Sequence, residues 1–398
     1  MNRPVELDAI AAARAQFPAL ERWTYLDVAG RGVLSRDTRA ALDAHLDERM
    51  MNGGDKAKFF DLVEATRAKF AQLIHAAREE IAFTKNISEG LNMVATAFDW
   101  KRGDNVILCP ELEHPNNVYP WLNMQRYGLE VRTIAPRDAH IPVNDVIARI
   151  DKGTRVVTVS TVTFAPGFRT DVDRLGRACR ERDVLLLVDA AQSVGIIDTD
   201  VRRSNIDALA VSTQKGLLGL YGMGFFYCRR EWAERLKPAY LARFGVDLGD
   251  AHEATLGDLS FEYAAAARRF DLGNYNYPAC AAVNASMQQL LTWGTANIER
   301  HVTGLAHALA QGFLELGLAV SGGAPGPHLA NIVTVGELSA DHYATGNERY
   351  NRLYEHLAAH RVKLSIRRGT LRFSLHVYNS MEDVERVLEL TREFLASH

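Results

Sequence analysis

Cysteine is scarce in this 398-residue chain: Cys109, Cys179, Cys228 and Cys280 lie tens of positions apart. No two of them are close enough for a zinc knuckle, a dithiol redox motif or a disulfide framework, and such usage fits a reducing cytosol. A surplus of one charge is missing too. With 46 Lys+Arg against 49 Asp+Glu the formal charge is −3, so nothing electrostatic favours a nucleic-acid partner. Long hydrophobic runs are lacking as well. Val184-Leu185-Leu186-Leu187-Val188 is of strand length, far below the ~20 apolar residues of a membrane span, and no membrane partner is expected. Glu6 and Asp8 interrupt the first residues before Arg14, so these do not form a targeting signal. Finally, there is no G-x-G-x-x-G, P-loop lysine, H-E-x-x-H or G-x-S-x-G motif. Dinucleotide, nucleoside-triphosphate, zinc-peptidase and serine-hydrolase chemistry lose their usual support.

What remains is ordinary globular material, 47% hydrophobic, 24% charged and 9% aromatic, which excludes disordered, collagen-like and coiled-coil chains. At ~100–200 residues per domain the length suggests about two domains, in a cytoplasmic protein. Between about residues 80 and 230, apolar runs alternate with helix-period segments: Asn105 to Cys109, Leu129 to Ala135, Arg155 to Ser160, Val184 to Val188, Ala208 to Ser212 and Gly224 to Cys228. That alternation predicts an α/β domain whose mostly parallel sheet is covered on both faces. Beyond about residue 280, long helical stretches mix with a few strands, among them Thr370 to Val377. The cluster Ser321 to Pro327 is a loop within that second region.

Leu185-Leu186-Leu187-Val188-Asp189 is an apolar strand closed by a carboxylate, and in open α/β sheets ligands bind outside the carboxyl ends of the strands. The next run, Ala208 to Ser212, is followed by Thr213-Gln214-Lys215, which puts a lysine at the same edge. Near a carboxylate and a cofactor, such an amine can become a Schiff-base nucleophile. In Ile81 to Leu91 a short strand runs into a helix, with Asn86 and Glu89 spaced as a capping box. Free N–H groups near Ile87 and Ser88 would suit a phosphate monoester. A carboxylate for a ring nitrogen, a lysine for an aldehyde and donors for a phosphate are together what pyridoxal 5′-phosphate requires.

Here the chain resembles the class V aminotransferase family, in its cysteine desulfurase-like and isopenicillin-N-epimerase-like branch. The resemblance runs from Phe17-Pro18 and Tyr25-Leu26-Asp27 to Val377-Tyr378-Asn379, and is strongest at Val188-Asp189-Ala190-Ala191-Gln192 and Ser212-Thr213-Gln214-Lys215. It implies the fold of pyridoxal-phosphate-dependent transferases, fold type I: a large domain around a seven-stranded, mostly parallel sheet and a smaller C-terminal α+β domain. The expected boundaries are residues 1–20 packing near the small domain, 21–272 for the large domain and 273–398 for the small one. By the same resemblance Lys215 carries the Schiff base, Asp189 pairs with the ring nitrogen, Gln192 binds the ring hydroxyl and His114 stacks on the ring. Ile87 and Ser88 hold the phosphate, with Ser212 and Gln214 adding contacts. Asn274 aligns with a threonine that reaches the neighbouring subunit's phosphate, implying a homodimer with shared sites. Arg372 grips the substrate carboxylate.

Three departures shape the expected activity. Cysteine desulfurases carry a sulfur-accepting cysteine in a loop before the carboxylate-binding arginine, whereas only Thr370 and Leu371 separate Gly369 from Arg372. A persulfide-forming desulfurase is disfavoured on that ground. Phe164 stands where the family has an asparagine near the ring hydroxyl, and Gln214 replaces a histidine before the lysine. The resemblance implies an amino-acid substrate and Cα-proton abstraction, leading to transamination or β-elimination, with epimerisation as an alternative. A non-catalytic relative that keeps the fold for binding stays open as well, and a nicotinamide-dependent oxidoreductase rests on α/β architecture alone. On the substrate side, Arg31 is a candidate contact, and Tyr119, Trp121, Phe164, Tyr221 and Tyr275 form a candidate aromatic wall.

Overall fold

The computed structural model describes residues 12–247, 249 and 260–397. Its strands are β1 (Thr24–Tyr25), β2 (Ile81–Thr84), β3 (Asn105–Leu108), β4 (Glu130–Thr133), β5 (Thr154–Ser160), β6 (Leu185–Asp189), β7 (Ala208–Ser212), β8 (Gly224–Cys228), β9 (Ile332–Val335), β10 (Val362–Lys363), β11 (Ser365–Arg367) and β12 (Thr370–Ser374). Seven form one sheet in the order β2-β8-β7-β6-β5-β3-β4, parallel throughout except for β8, which runs against both its neighbours. The seven-stranded, mostly parallel α/β sheet is as expected. Every residue of β6, β7 and β8 is buried, as continuous apolar runs require when helices cover both faces.

Sheet order places the site. β3 is flanked by β4 on one side and β5 on the other, so the chain reverses its direction of progress between β3 and β5, and ligand crevices open at such switch points. On one face the helix Ile87–Ala97 lies against β7. Gly90 permits this approach, because a Cβ there would come within 2.8 Å of the Ala210 Cβ. The helix therefore starts beside the carboxyl edge of the sheet.

The smaller region is a three-stranded antiparallel sheet, β11-β12-β9, packed with the helices Thr295–Glu315, Glu348–Ala359 and Met381–Ser397 around a core of its own. Its expected start at residue 273 precedes the helix Tyr277–Trp293, yet that helix packs on the helices Arg36–Asn52 and Lys56–Leu73 and buries Cys280, Val283, Met287 and Leu290 in the large-sheet core. We therefore place the boundary at Gly294. Of the first twenty residues, 1–11 lie outside the described chain. Arg14 pairs with Asp383 at 2.7 Å and Phe17 packs its ring 5.0 Å from that of Tyr378, so residues 12–20 lie against the C-terminal region. Among the described residues no helix is long and apolar enough to cross a membrane.

Candidate active site

Asp189 ends β6, Ser160 ends β5 directly opposite it, and Ser212 ends β7 on the other side. Above this edge lies a cavity of about 190 Å³ lined by Asp189, Gln192, Ser212, Gln214, Lys215, His114, Ile87 and Phe164, eight of the residues singled out from sequence. Asn116, Ser160, Val162 and Ala191 complete the lining and were not anticipated. A second cavity of about 380 Å³ shares His114, Phe164, Gln192 and Lys215 with the first and continues outward to Arg372, Arg367, His342 and Tyr343.

Burial sets the electrostatics of the inner cavity. Asp189 is desolvated, which raises its pKa, against a hydrogen bond from the Ala191 N–H at 3.0 Å and the charge of Lys215. The Lys215 amine is pushed down to about 8, chiefly by burial, with Asp189 opposing and Arg372 and Arg367 reinforcing the shift. Behind them, Glu113 accepts from the Ser160 N–H at 2.7 Å, the Ser160 hydroxyl at 2.6 Å and Asn117 at 2.8 Å. Desolvation followed by the charge of Asp189 nevertheless pushes its carboxyl up to about 7. His114 stands where the two cavities meet, edge-on to Phe164 with ring centroids 5.5 Å apart, and accepts from the Asn116 N–H at 3.2 Å. Desolvation, and then chiefly the charge of Lys215 with Arg367 and Arg372 adding to it, push its imidazole down to about 4.

At the helix Ile87–Ala97 the expected cap is half realised. Asn86 accepts from the Glu89 N–H at 3.0 Å, but the Glu89 carboxylate turns back to the Lys85 N–H rather than to Asn86. Ile87 lines the inner cavity; Ser88 follows it in the first helical turn without lining the cavity by its side chain.

Arg372 sits in the middle of β12, 2% exposed. Its guanidinium donates to the Ser365 hydroxyl at 3.1 Å and the Phe164 carbonyl at 3.0 Å, and approaches Asp27 at 3.7 Å. Burial lowers its pKa to about 10, with Asp27 opposing. The hairpin that carries it turns at Arg368-Gly369, both at positive φ (49° and 75°), as a two-residue type I′ connection requires. His376, completely buried, donates from Nε2 to the Gly216 carbonyl at 2.9 Å and accepts at Nδ1 from the Val377 N–H, so the segment after β12 is bonded to the residue after Lys215.

Several expected contacts are not assembled here. Arg31 is exposed, and its carbonyl accepts from the Tyr25 hydroxyl at 2.8 Å; its neighbours Ala29 and Gly30 line the outer cavity instead. The aromatic wall reduces to Phe164. Tyr119 and Tyr221 are exposed, Trp121 is buried edge-on to Trp100 in the core, and Tyr275 donates to Asp271 at 3.1 Å. Asn274 lies in a separate surface pocket with Gly222 and Tyr275. Arg367, His342 and Tyr343 were missed because Arg367 closes a strand of only three residues and His342 and Tyr343 sit on a loop without periodicity. The Arg-Gly turn between apolar alternations was the available signal, since it aligns Arg367 and Arg372 on one hairpin face.

The class V aminotransferase profile matches residues 49–387. The chain belongs to that family. Among its relatives, a probable cysteine desulfurase of Methanothermobacter thermautotrophicus is 29% identical, with 96% of each chain covered. A second probable cysteine desulfurase, of Pyrococcus abyssi, is 31% identical over 84% of this chain and 83% of its own. The apo structure of a cysteine desulfurase from Thermococcus onnurineus superimposes with a TM-score of 0.85 at 25% identity, covering 100% of both chains. The inner cavity of this class V aminotransferase fits the cofactor of its family, pyridoxal 5′-phosphate. Gln192 donates to the Ala29 carbonyl at 3.2 Å while its buried Oε1 has no partner, and buried Asp189 and half-buried Lys215 offer the complementary carboxylate and amine.

Proposed function

We propose that this class V enzyme acts on an amino acid by removing its Cα proton, with Lys215 as the base, and completes either transamination or β-elimination. The observation that carries the reading is that Lys215 and buried Asp189 line one cavity, which meets at Lys215 a second cavity reaching Arg372. When bound, pyridoxal phosphate supplies a ring that accepts electrons through the substrate nitrogen. Asp189 holds the ring nitrogen's proton, Gln192 and His114 set the ring's seat, and Ile87, Ser88, Ser212 and Gln214 hold the phosphate. Arg372 takes the substrate carboxylate in its fork. Lys215, with a pKa near neutrality, moves the Cα proton within hydrogen-bond reach.

The named relatives bring cysteine desulfuration forward as a reading to test. All four thiols of this chain are buried; Cys109, Cys179 and Cys280 are pushed up to about 12 and Cys228 well above its usual value, chiefly by desolvation. None is a ready thiolate to accept sulfur. We further propose a cytoplasmic homodimer in which Asn274 meets the partner's phosphate site; a monomer by light scattering removes that part.

The deciding experiment gives the pyridoxal-phosphate-loaded enzyme a panel of amino acids, cysteine included, with and without a keto-acid acceptor. Acceptor-dependent turnover without ammonia selects transamination, acceptor-independent release of ammonia with a keto acid selects elimination, and sulfur release from cysteine that leaves alanine and no ammonia selects desulfuration. No spectral change with any amino acid overturns the enzymatic reading in favour of a binding protein.

A further inference from the structure

The charges that face the joined cavities do not balance. Lys215 shares the inner cavity with the Asp189 carboxylate, and Arg372 faces Asp27 at 3.7 Å. Half-buried Arg367 is answered by neither; its guanidinium donates only to the carbonyls of Ile366 at 2.6 Å and His342 at 3.5 Å. Among the described residues no carboxylate lies within ion-pair distance of it. A guanidinium keeps its charge at any working pH, so this wall of the cavity is cationic in the absence of ligand.

The hairpin fixes where that charge stands. Arg372 pairs with Ser365 and Thr370 with Arg367. Arg367, two residues beyond Ser365, therefore projects from the same face as Arg372 and lines the same cavity. Such diagonal neighbours are about 7–8 Å apart at their backbones. That separation suits the two carboxylates of one small molecule, each taken by its own fork.

We propose that the substrate carries a second anionic group on its side chain, a short ω-carboxylate, and that Arg367 selects it while Arg372 holds the α-carboxylate. The inference rests on the amino-acid reading above and narrows its substrate class. A neutral side chain leaves Arg367 unanswered, and charge-assisted bonds account for the discrimination.

The test compares aspartate and glutamate with asparagine and glutamine as substrates of the loaded enzyme, and succinate and glutarate with propionate and butyrate as calorimetric ligands. The acids should exceed their amides in kcat/KM, and the diacids should bind more tightly than the monoacids, each by about 10- to 100-fold. Arg367→Gln should collapse the acid-to-amide ratio, read within each enzyme so that a general loss cancels, and Arg367→Lys should restore part of it. Equal binding of diacids and monoacids by the wild type, or an unchanged ratio in Arg367→Gln, overturns the proposal. Turnover of neutral amino acids at the rate of the acids sinks this inference alone, whereas absence of any amino-acid response sinks the reading beneath it.

Discussion

The two cavities handle charge in opposite ways. In the inner one, buried Asp189 and half-buried Lys215 follow adjacent buried strands, and each moderates the other's pKa. Along the outer one, Arg367 keeps its charge in a half-buried wall beside Tyr343, which is 91% exposed. Reactivity is thus built where the sheet excludes solvent, and discrimination where a short hairpin and a loop meet it. A substrate reaching Lys215 passes from the second environment into the first.

The sharpest break of this contrast is Lys215→Ala. Loss of the inner base should cost about 10²–10⁴-fold in turnover, and the visible absorption of bound cofactor should vanish; a retained spectrum would sink the assignment of Lys215. Next in size is the frame of the large domain. Asp271, buried, accepts from Arg67 at 2.7 Å and from the Phe83 N–H at 2.9 Å, tying β2 to the helix Lys56–Leu73. Asp271→Ala leaves buried Arg67 with only the half-exposed Glu64 at 3.3 Å and should destabilise the fold by about 3 kcal/mol, seen as a lower urea midpoint, while Arg367→Gln on the outer wall should move that midpoint far less.

Arg372→Gln lies between the two environments. It should raise KM for amino acids about 10- to 100-fold, leaving the cofactor spectrum in place; an unaltered KM would detach Arg372 from the substrate. The smallest effect concerns Glu113. Its folded pKa, about 7, exceeds its ordinary value of 4.5, so between those pH values the folded state holds the proton more tightly and stability falls as pH rises. Glu113→Gln should flatten that slope relative to the wild type, measured by urea unfolding from pH 4.5 to 7. A parallel pair of curves would show that Glu113 does not titrate in this window.

The inner cavity was largely legible in the sequence because local patterns place it. Asp189 closes an apolar strand, Lys215 follows the next one by three residues, and Asn86 marks the helix that opens beside them. Each of these positions follows from its own segment once the sheet is parallel. The outer wall was not legible in the same way. His342 and Tyr343 come from a loop with no periodic signal, and Arg367 gains its neighbours only through the register of a five-residue strand with a three-residue one. Arg372 was located but its burial was not, because alternation along β12 says nothing of the large domain that covers its polar face. Trp121 and Tyr275 illustrate the converse: aromatic residues near a site in sequence are more often packing, and here they fill the core.

The bond from His376 to the Gly216 carbonyl has a mechanical consequence. It rivets the segment following Arg372 to the backbone beside Lys215, the proposed carboxylate grip and base, and the Asn379 amide at the Tyr25 carbonyl and the Ser374 hydroxyl at the Ala29 N–H add two more rivets along the same seam. The spacing between proton acceptor and carboxylate grip is therefore set during folding rather than upon encounter, and the entropy of aligning them is spent before any substrate arrives.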